Sequence, residues 1–345
     1  MSAAAARAAA RSRPRLGFAG LGWIGRRRLR SIAAADTAEI AALVDPIDTC
    51  IEGAREVAPS AAVVEHFEDL LSLGLDGIVI ATPNALHLPQ VHAALEAECA
   101  VFCQKPLAHD ATATRGLVEA ARAADRDLSV DLSYRHVRAM RRVRDLVRDG
   151  AIGDVFAVEL VFHNAYGPDK AWFYDPRLSG GGCVLDLGIH LVDLALWTLG
   201  FPAVEAVESQ LFQAGRRLGP GLLAAEDFAL ARIDFAGDIT ARLACSWRLS
   251  AGCDAQIEVS FYGTAGRATL RNRGGSFYDF SAERACGTAL ETLDDGPDDW
   301  GGGAALAWIA RLGAGGRYCA DTDALIVVAE VLDAIYRRHG VRGAA

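Results

Sequence analysis

No stretch of this 345-residue chain reaches the roughly 18 uncharged apolar residues that a bilayer span needs. The longest apolar segment, residues 185–199, is broken by Asp186, His190 and Asp193. A basic surplus is missing too. With 35 Lys and Arg against 44 Asp and Glu, the net charge is −9, the wrong sign for a nucleic-acid-binding face. None of the eight cysteines, at positions 50, 99, 103, 183, 245, 253, 286 and 319, forms a CxxC pair, so the spacing of a zinc site is absent. A disulfide framework is not expected in so long a chain, and reduced, mostly buried thiols in a cytoplasmic protein are the expectation. The first 15 residues contain no acidic residue and no apolar central block, which excludes the form of a secretory signal. Residues 1–14 read as a disordered tail; a transit peptide would share their Ala/Arg composition. No internal repeat of fixed period is present.

What is present suits a soluble globular protein: 52% hydrophobic and 23% charged residues, in a length that implies two domains. The first third alternates short apolar runs with helical patterns, the mark of βαβ units and a parallel sheet. Strands are expected at 15–19, 39–44, 77–81, 100–103 and 128–132, and helices at 25–35 and 86–98. Beyond about residue 135 come a helix (140–148), a long strand (154–163), a loop rich in Gly, Pro and aromatics (164–182) and a strong apolar helix (184–199). Residues 204–280 read as strands in series with turn signals, hence a mostly antiparallel sheet. An acidic, Gly-rich loop (294–303) and two helices (304–312 and 323–338) close the chain.

The first strand runs into Gly20-Leu-Gly22-Trp23-Ile24-Gly25, a GxGxxG motif that opens a helix. Gly20 permits the tight turn, Gly22 lets the backbone approach a pyrophosphate, and Gly25 lets helix and strand pack closely. The helix start then offers free N–H groups to the phosphates. Asp45 ends the second strand, 45 − 25 = 20 residues after the last glycine, where the ribose-hydroxyl acceptor of a dinucleotide site belongs. A carboxylate there repels a 2′-phosphate, which favours NAD over NADP. Arg26, Arg27 and Arg28, one turn into the helix, are placed to reach a phosphate. The fold class expected is α/β: a Rossmann NAD(P)-binding domain over 15–135, then an α+β domain with a large, mostly antiparallel open sheet over 136–345, for substrate binding and oligomerisation.

Three further segments stand out: Ala81-Thr82-Pro83-Asn84 with His87, Cys103-Gln104-Lys105-Pro106, and Gly180-Gly-Gly-Cys-Val-Leu-Asp186-Leu-Gly-Ile-His190. With the glycine fingerprint, and in this order, they make the chain from about Arg15 to Gly340 resemble the glucose–fructose oxidoreductase/inositol dehydrogenase (Gfo/Idh/MocA) family. The resemblance implies that Lys105, the lysine of the family's Glu-Lys-Pro motif, points at the reacting carbon. Gln104 stands where the family usually has Glu, which removes a charge beside the nicotinamide ribose. The resemblance also implies that Asp186 and His190 complete a catalytic trio, and that Thr82, Pro83, Asn84 and His87 touch the nicotinamide half of the cofactor. A sugar, cyclitol or similar polyol dehydrogenase or reductase follows. The alternatives are an NAD-dependent redox glycosidase and a cofactor-binding sensor without turnover; the second would be expected to have lost Lys105, Asp186 and His190.

The chemistry of the residues agrees. Oxidising an alcohol requires hydride loss and proton loss, and a histidine suits the proton transfer near neutral pH. Asp186 and His190 are four apart, so on an α-helix they share a face and the carboxylate can support the imidazolium. Lys105 would stabilise the alkoxide, and the trio is expected to meet in a cleft between the domains. Asp186, His190 and Asp193 also have the spacing of a metal site, but none is expected. Tyr134, Arg135 and His136 end the last Rossmann strand and are candidates to line the site. Asn164, Tyr166, Lys170 and Trp172 precede the catalytic helix and suit a polyhydroxylated substrate. Strands 257–261 and 228–233 read as apolar on both faces, which points to a sheet-to-sheet homodimer or homotetramer.

Overall fold

A computed structural model describes residues 13–219, 224–294, 296 and 300–337. The expected N-terminal tail and most of the acidic loop lie outside the described residues. The chain divides into two compact units, one of residues 13–108, Thr112–Asp131 and Gly301–Asp323, the other of His109–Ala111, Leu132–Trp300 and residues 324–337.

In the first unit, six parallel strands, β1 (Arg15–Ala19), β2 (Glu39–Val44), β3 (Ala62–Val63), β4 (Gly77–Ile80), β5 (Ala100–Cys103) and β6 (Leu128–Val130), stand in the order β3-β2-β1-β4-β5-β6. This is the Rossmann order, which reverses between β1 and β4 and leaves a crevice at their carboxyl ends. β4 and β5 are buried throughout, as strands covered on both faces must be. Helices Trp23–Ala35 and Asn84–Glu96 begin at these strand ends.

One element departs from a division at residue 135. The helix Gly303–Gly313 returns to the first unit, because Trp308 is fully buried in that unit's core with Leu16, Phe18, Val79 and Phe102. A side chain at Gly77 would stand 2.8 Å from the Trp308 ring, so the strand glycine makes room for the indole.

The second unit is built on nine strands, β7 (Val155–Asn164), β8 (Val204–Gln213), β9 (Arg216–Arg217), β10 (Phe228–Phe235), β11 (Ile239–Ser246), β12 (Ala255–Gly263), β13 (Gly266–Asn272), β14 (Phe280–Cys286) and β15 (Ala289–Asp294). Their order is β15-β14-β13-β12-β7-β11-β10-β8-β9, antiparallel except for the parallel pair β7–β11. Helices Arg138–Arg148, Ile189–Leu199 and Ala324–Arg337 pack against it. The helical run Pro176–Leu199 is long and apolar enough to cross a membrane by composition, yet 83% of its most apolar window is buried in the fold.

The strands are less apolar on their second face than the sequence led us to expect. In β12, Ile257, Val259 and Phe261 all point inward with Glu258 between them, and in β10 Ala229, Ala231 and Ile233 do the same. Alternation, not double-sided hydrophobicity, governs both. The outward face retains Leu230 beside Val161, Phe228 and Ala244, among Glu159, Arg232 and Arg242, around a concavity of about 630 Å³.

Candidate active site

The strand ends of the first unit gather most of the expected cofactor residues. Gly20 has φ +85, and a Cβ there would lie 2.5 Å from the Ala81 carbonyl carbon and oxygen. Only glycine fits where β1 and β4 part. At Gly25 a Cβ would lie 2.1 Å from the Gly20 oxygen, whereas at Gly22 it would meet nothing within 4 Å. The first and third glycines therefore serve the protein's own packing, and the second faces open space. The helix beyond has no acidic residue in its first turn and no side-chain cap, so its amide donors and positive dipole end are offered outward. Trp23 is exposed beside this turn, and Ile24 is half-buried.

Asp45 is fixed by two backbone amides: Oδ2 accepts from Leu21 at 2.6 Å and Oδ1 from Ile47 at 2.9 Å. A carboxylate has about four acceptor positions, so two remain for ribose hydroxyls. These features fit a dinucleotide: an open glycine, a bare helix start and an oriented carboxylate.

The three arginines after the fingerprint go separate ways. Arg26 lies against Gly53, with Nη1 2.5 Å from where a Cβ would stand, and the Arg27 guanidinium covers the Trp23 ring at 5.8 Å. Arg28 does not reach outward at all. It is fully buried, and its Nε donates to Asp131, which also accepts from Gln104 Nε2. A buried guanidinium requires a buried carboxylate, and that requirement overrides its position near the phosphate turn. Gln104 is thereby explained in part: its amide is a donor to Asp131, and a glutamate there would set two carboxylates together.

Thr82, Pro83 and Asn84 lie at the carboxyl end of β4, with Thr82 Oγ1 donating to Gln90 at 2.6 Å. Lys105 follows β5 in the same row of strand ends. His87 is placed otherwise than expected. It is fully buried, with Nδ1 2.7 Å from the Pro106 carbonyl oxygen and Nε2 2.8 Å from that of Thr82. Both nitrogens are spent tying the β4 and β5 loops together, which withdraws the ring from any cofactor contact.

In the second unit, Asp186 and His190 occupy one buried helical run, but not one α-helix. Val184–Gly188 is a π-turn, in which the Ile189 N–H reaches the Val184 carbonyl, and the α-helix starts at Ile189. Such widened turns occur frequently at functional sites. The wide turn alters the angle between Asp186 and His190 that i,i+4 spacing would set.

Three residues that the sequence did not single out, Glu226, Tyr336 and Trp247, hold this run. Glu226, fully buried, accepts from the Gly182 amide at 2.9 Å through Oε2, and from the Val184 amide at 2.8 Å and Tyr336 hydroxyl at 2.7 Å through Oε1. Burial pushes its carboxyl up to about 6, against these hydrogen bonds, which pull it down. The glycine triplet follows from the clamp. A Cβ at Gly182 would lie 1.9 Å from the Glu226 carbonyl oxygen, and one at Gly181 2.3 Å from the Tyr336 hydroxyl. Trp247 Nε1 donates to Asp186 Oδ2 at 2.9 Å. Arg135 forms a two-pronged pair with Asp193, which removes Asp193 from any ligand set. Among the described residues no group of three or more His, Cys, Asp or Glu is placed to hold a metal.

Tyr134 is buried in an aromatic cluster, edge-on to His190 at 4.9 Å and to Phe162 at 6.0 Å, and burial pushes its hydroxyl well above the ordinary value. It packs against the imidazole. In the loop after β7, Asn164 Oδ1 accepts from the Tyr166 amide at 2.7 Å and the Tyr166 hydroxyl donates to Asp254 at 2.7 Å. Trp172 stacks on Phe173 at 3.8 Å. Lys170 is exposed, 3.1 Å from Asp169, and His136 is turned to Arg141.

Residues 15–132 match the oxidoreductase family with an NAD-binding Rossmann fold, and residues 140–269 match the GFO/IDH/MocA C-terminal domain. A D-glucoside 3-dehydrogenase of Escherichia coli is 29% identical, over 66% of this chain and 69% of its own. An NADP-dependent D-xylose 1-dehydrogenase of Haloarcula marismortui is also 29% identical, over 74% and 71%. Among solved structures, a 3-ketoreductase of Actinomadura kijaniata superposes with a TM-score of 0.81 at 21% identity, covering 94% of this chain and 98% of that one. The last shows the shared fold. Matched in both its parts, the chain belongs to the Gfo/Idh/MocA family and is an NAD(P)-dependent oxidoreductase acting on CH–OH groups.

Proposed function

We propose that the protein interconverts a secondary alcohol and a ketone on a sugar, cyclitol or similar polyol, with NAD preferred and with Lys105, Asp186 and His190 as the acid–base group. The observation that carries this is the π-turn run Val184–Leu199, which presents Asp186 and His190 from a clamped helix while Arg135 neutralises its third titratable residue. The D-glucoside and D-xylose activities of the two relatives support a sugar as substrate.

The nicotinamide, when bound, supplies the acceptor or donor of hydride. The chain's own residues do the rest. His190 takes the hydroxyl proton during oxidation and returns it during reduction. Asp186 supports the imidazolium form, and Lys105 faces the alkoxide with a fixed cation. Asp45 orients the adenosine ribose, and its charge opposes a 2′-phosphate. Tyr134 limits the tilt of the His190 ring. Asn164 and Trp172 supply a polar group and an aromatic face for the polyol.

A dehydrogenase panel of methyl glucosides, pentoses, inositols and their ketones, run with NAD and with NADP, tests the reading. Turnover on none of these classes with either cofactor would sink it. We also propose that the outward face around Leu230 pairs with that of a second copy, so light scattering at micromolar concentration should give a dimer or tetramer; a monomer removes this.

A further inference from the structure

We infer that Trp247 is the positioning residue for Asp186, and that through it the aromatic segment Trp172–Tyr174 is wired to the acid–base helix. The inference rests on the reading of Asp186 given above. An indole N–H can only donate, and when buried it requires a partner. Trp247 is 3% exposed, and the partner of its N–H is Asp186 Oδ2, 2.9 Å away. A hydrogen bond to a carboxylate is stronger and shorter than a neutral one, and it fixes direction as well as distance. The carboxylate's rotation about its own stem is thereby set by a residue 61 positions away.

Trp247 itself is held on every side. Its amide donates to Asp227 O at 2.8 Å. Phe173 meets its ring edge-on at 6.3 Å and Tyr174 at 5.6 Å. Tyr174 is anchored in turn: its hydroxyl donates to Pro168 O at 2.9 Å and accepts from Arg248 Nη2 at 3.1 Å. The loop backbone closes on the same strand end, where the Arg248 amide donates to Tyr166 O at 3.2 Å and the Leu249 amide to Asn164 O at 3.0 Å. Trp172 stacks directly on Phe173. A polyol ring that settles against Trp172 therefore presses on the Phe173–Trp247 contact. The far end of that path is the indole N–H that donates to Asp186. Asp186 is aligned when the loop is in place, and the link runs through one indole.

The cleanest test changes one atom. β-(3-Benzothienyl)alanine at position 247 keeps the ring volume and replaces N–H by sulfur; Trp247→Phe is the genetically encoded companion. On a methyl D-glucoside with NAD, kcat should fall on the order of tenfold, while KM and the NADH dissociation constant stay within about twofold. Adding Asp186→Asn to the sulfur variant should cost no more than Asp186→Asn alone, because both remove one interaction. In ¹⁵N-tryptophan-labelled protein, with no sugar present, the Trp247 indole resonance should move when Asp186 becomes Asn. If Asp186→Asn turns over like the parent, the acid–base reading fails and takes this inference with it. If Asp186→Asn is impaired and the sulfur variant is not, Trp247 alone is overturned. An indole resonance indifferent to Asp186→Asn overturns it whatever the sugar.

Discussion

Around Gly20, Gly22 and Gly25 the backbone itself shapes the site, and the turn owes its form to Cβ atoms that are not there. Around Asp186 the shaping is done by side chains: Glu226 grips the start of the helix, Tyr336 braces that grip, Trp247 holds the carboxylate and Tyr134 flanks the imidazole. The first region binds a cofactor common to many enzymes and can be made from three glycines and a carboxylate. The second, on the reading proposed above, must hold a proton-transfer pair steady in a buried setting, where each polar group needs a partner. A backbone-built site tolerates changes at exposed neighbours such as Trp23 and fails at its glycines. A side-chain-built site fails at residues far from it in sequence.

The largest effect should come from the acid–base group. His190→Ala and Lys105→Ala should each lower kcat on the order of 10²–10⁴ and leave NADH binding within about twofold by fluorescence titration. Loss of turnover that merely tracked loss of NADH would remove the contrast between the regions. Next comes Gly25→Ala. A Cβ 2.1 Å from the Gly20 oxygen forces backbone to move, and urea unfolding should show a loss of about 3 kcal/mol with weakened NADH binding. A fully stable Ala variant would show that the turn does not depend on the missing atom.

Glu226→Gln probes the opposite construction. Both carboxylate oxygens accept from amides, so either orientation of the Gln amide puts an NH₂ against an N–H, at a cost of about 1–3 kcal/mol. The difference between parent and variant should also depend on pH. With its carboxyl raised from 4.5 to about 6, the folded state binds more protons than the unfolded one between these values. The Glu226 contribution is therefore fullest below pH about 4.5 and is lost as pH rises through about 6. The stability gap should narrow by about 2 kcal/mol from pH 4 to pH 7, and a gap constant with pH would contradict a buried, titrating clamp. The smallest effect belongs to Asp45→Ser, which should shift the NADH-to-NADPH preference about tenfold toward NADPH, or about 1.4 kcal/mol. Tighter NADPH than NADH binding by the parent would refute this role for Asp45.

The two regions also differ in how far they can be read from sequence. The parallel Rossmann sheet and the place of Asp45 at the end of β2 were legible because GxGxxG and its acidic partner lie within one βαβ unit, whereas the two-residue β3 is too short to leave a pattern. Glu226 was not, because nothing local marks it: it lies in an ordinary stretch before β10, 226 − 182 = 44 residues from the glycine it explains. The triplet Gly180–Gly182 was itself the visible trace, a crowded backbone with no stated neighbour. The π-turn was hidden because a single wide turn leaves apolar spacing nearly unchanged. Arg28 and His87 misled for a common reason. Each sits at a position where a functional residue would be expected, and each is taken by a buried partner, Asp131 in one case and two carbonyls in the other.

The return of Gly303–Gly313 to the first unit bears on how the chain is made. On the ribosome, β1 to β6 emerge some 172 residues before that helix (303 − 131). At about 5–20 residues per second, the slot above Gly77 and beside Phe102 waits roughly ten to thirty seconds for Trp308. During that interval the nascent sheet carries an open apolar notch, which the helix Gly303–Gly313 closes.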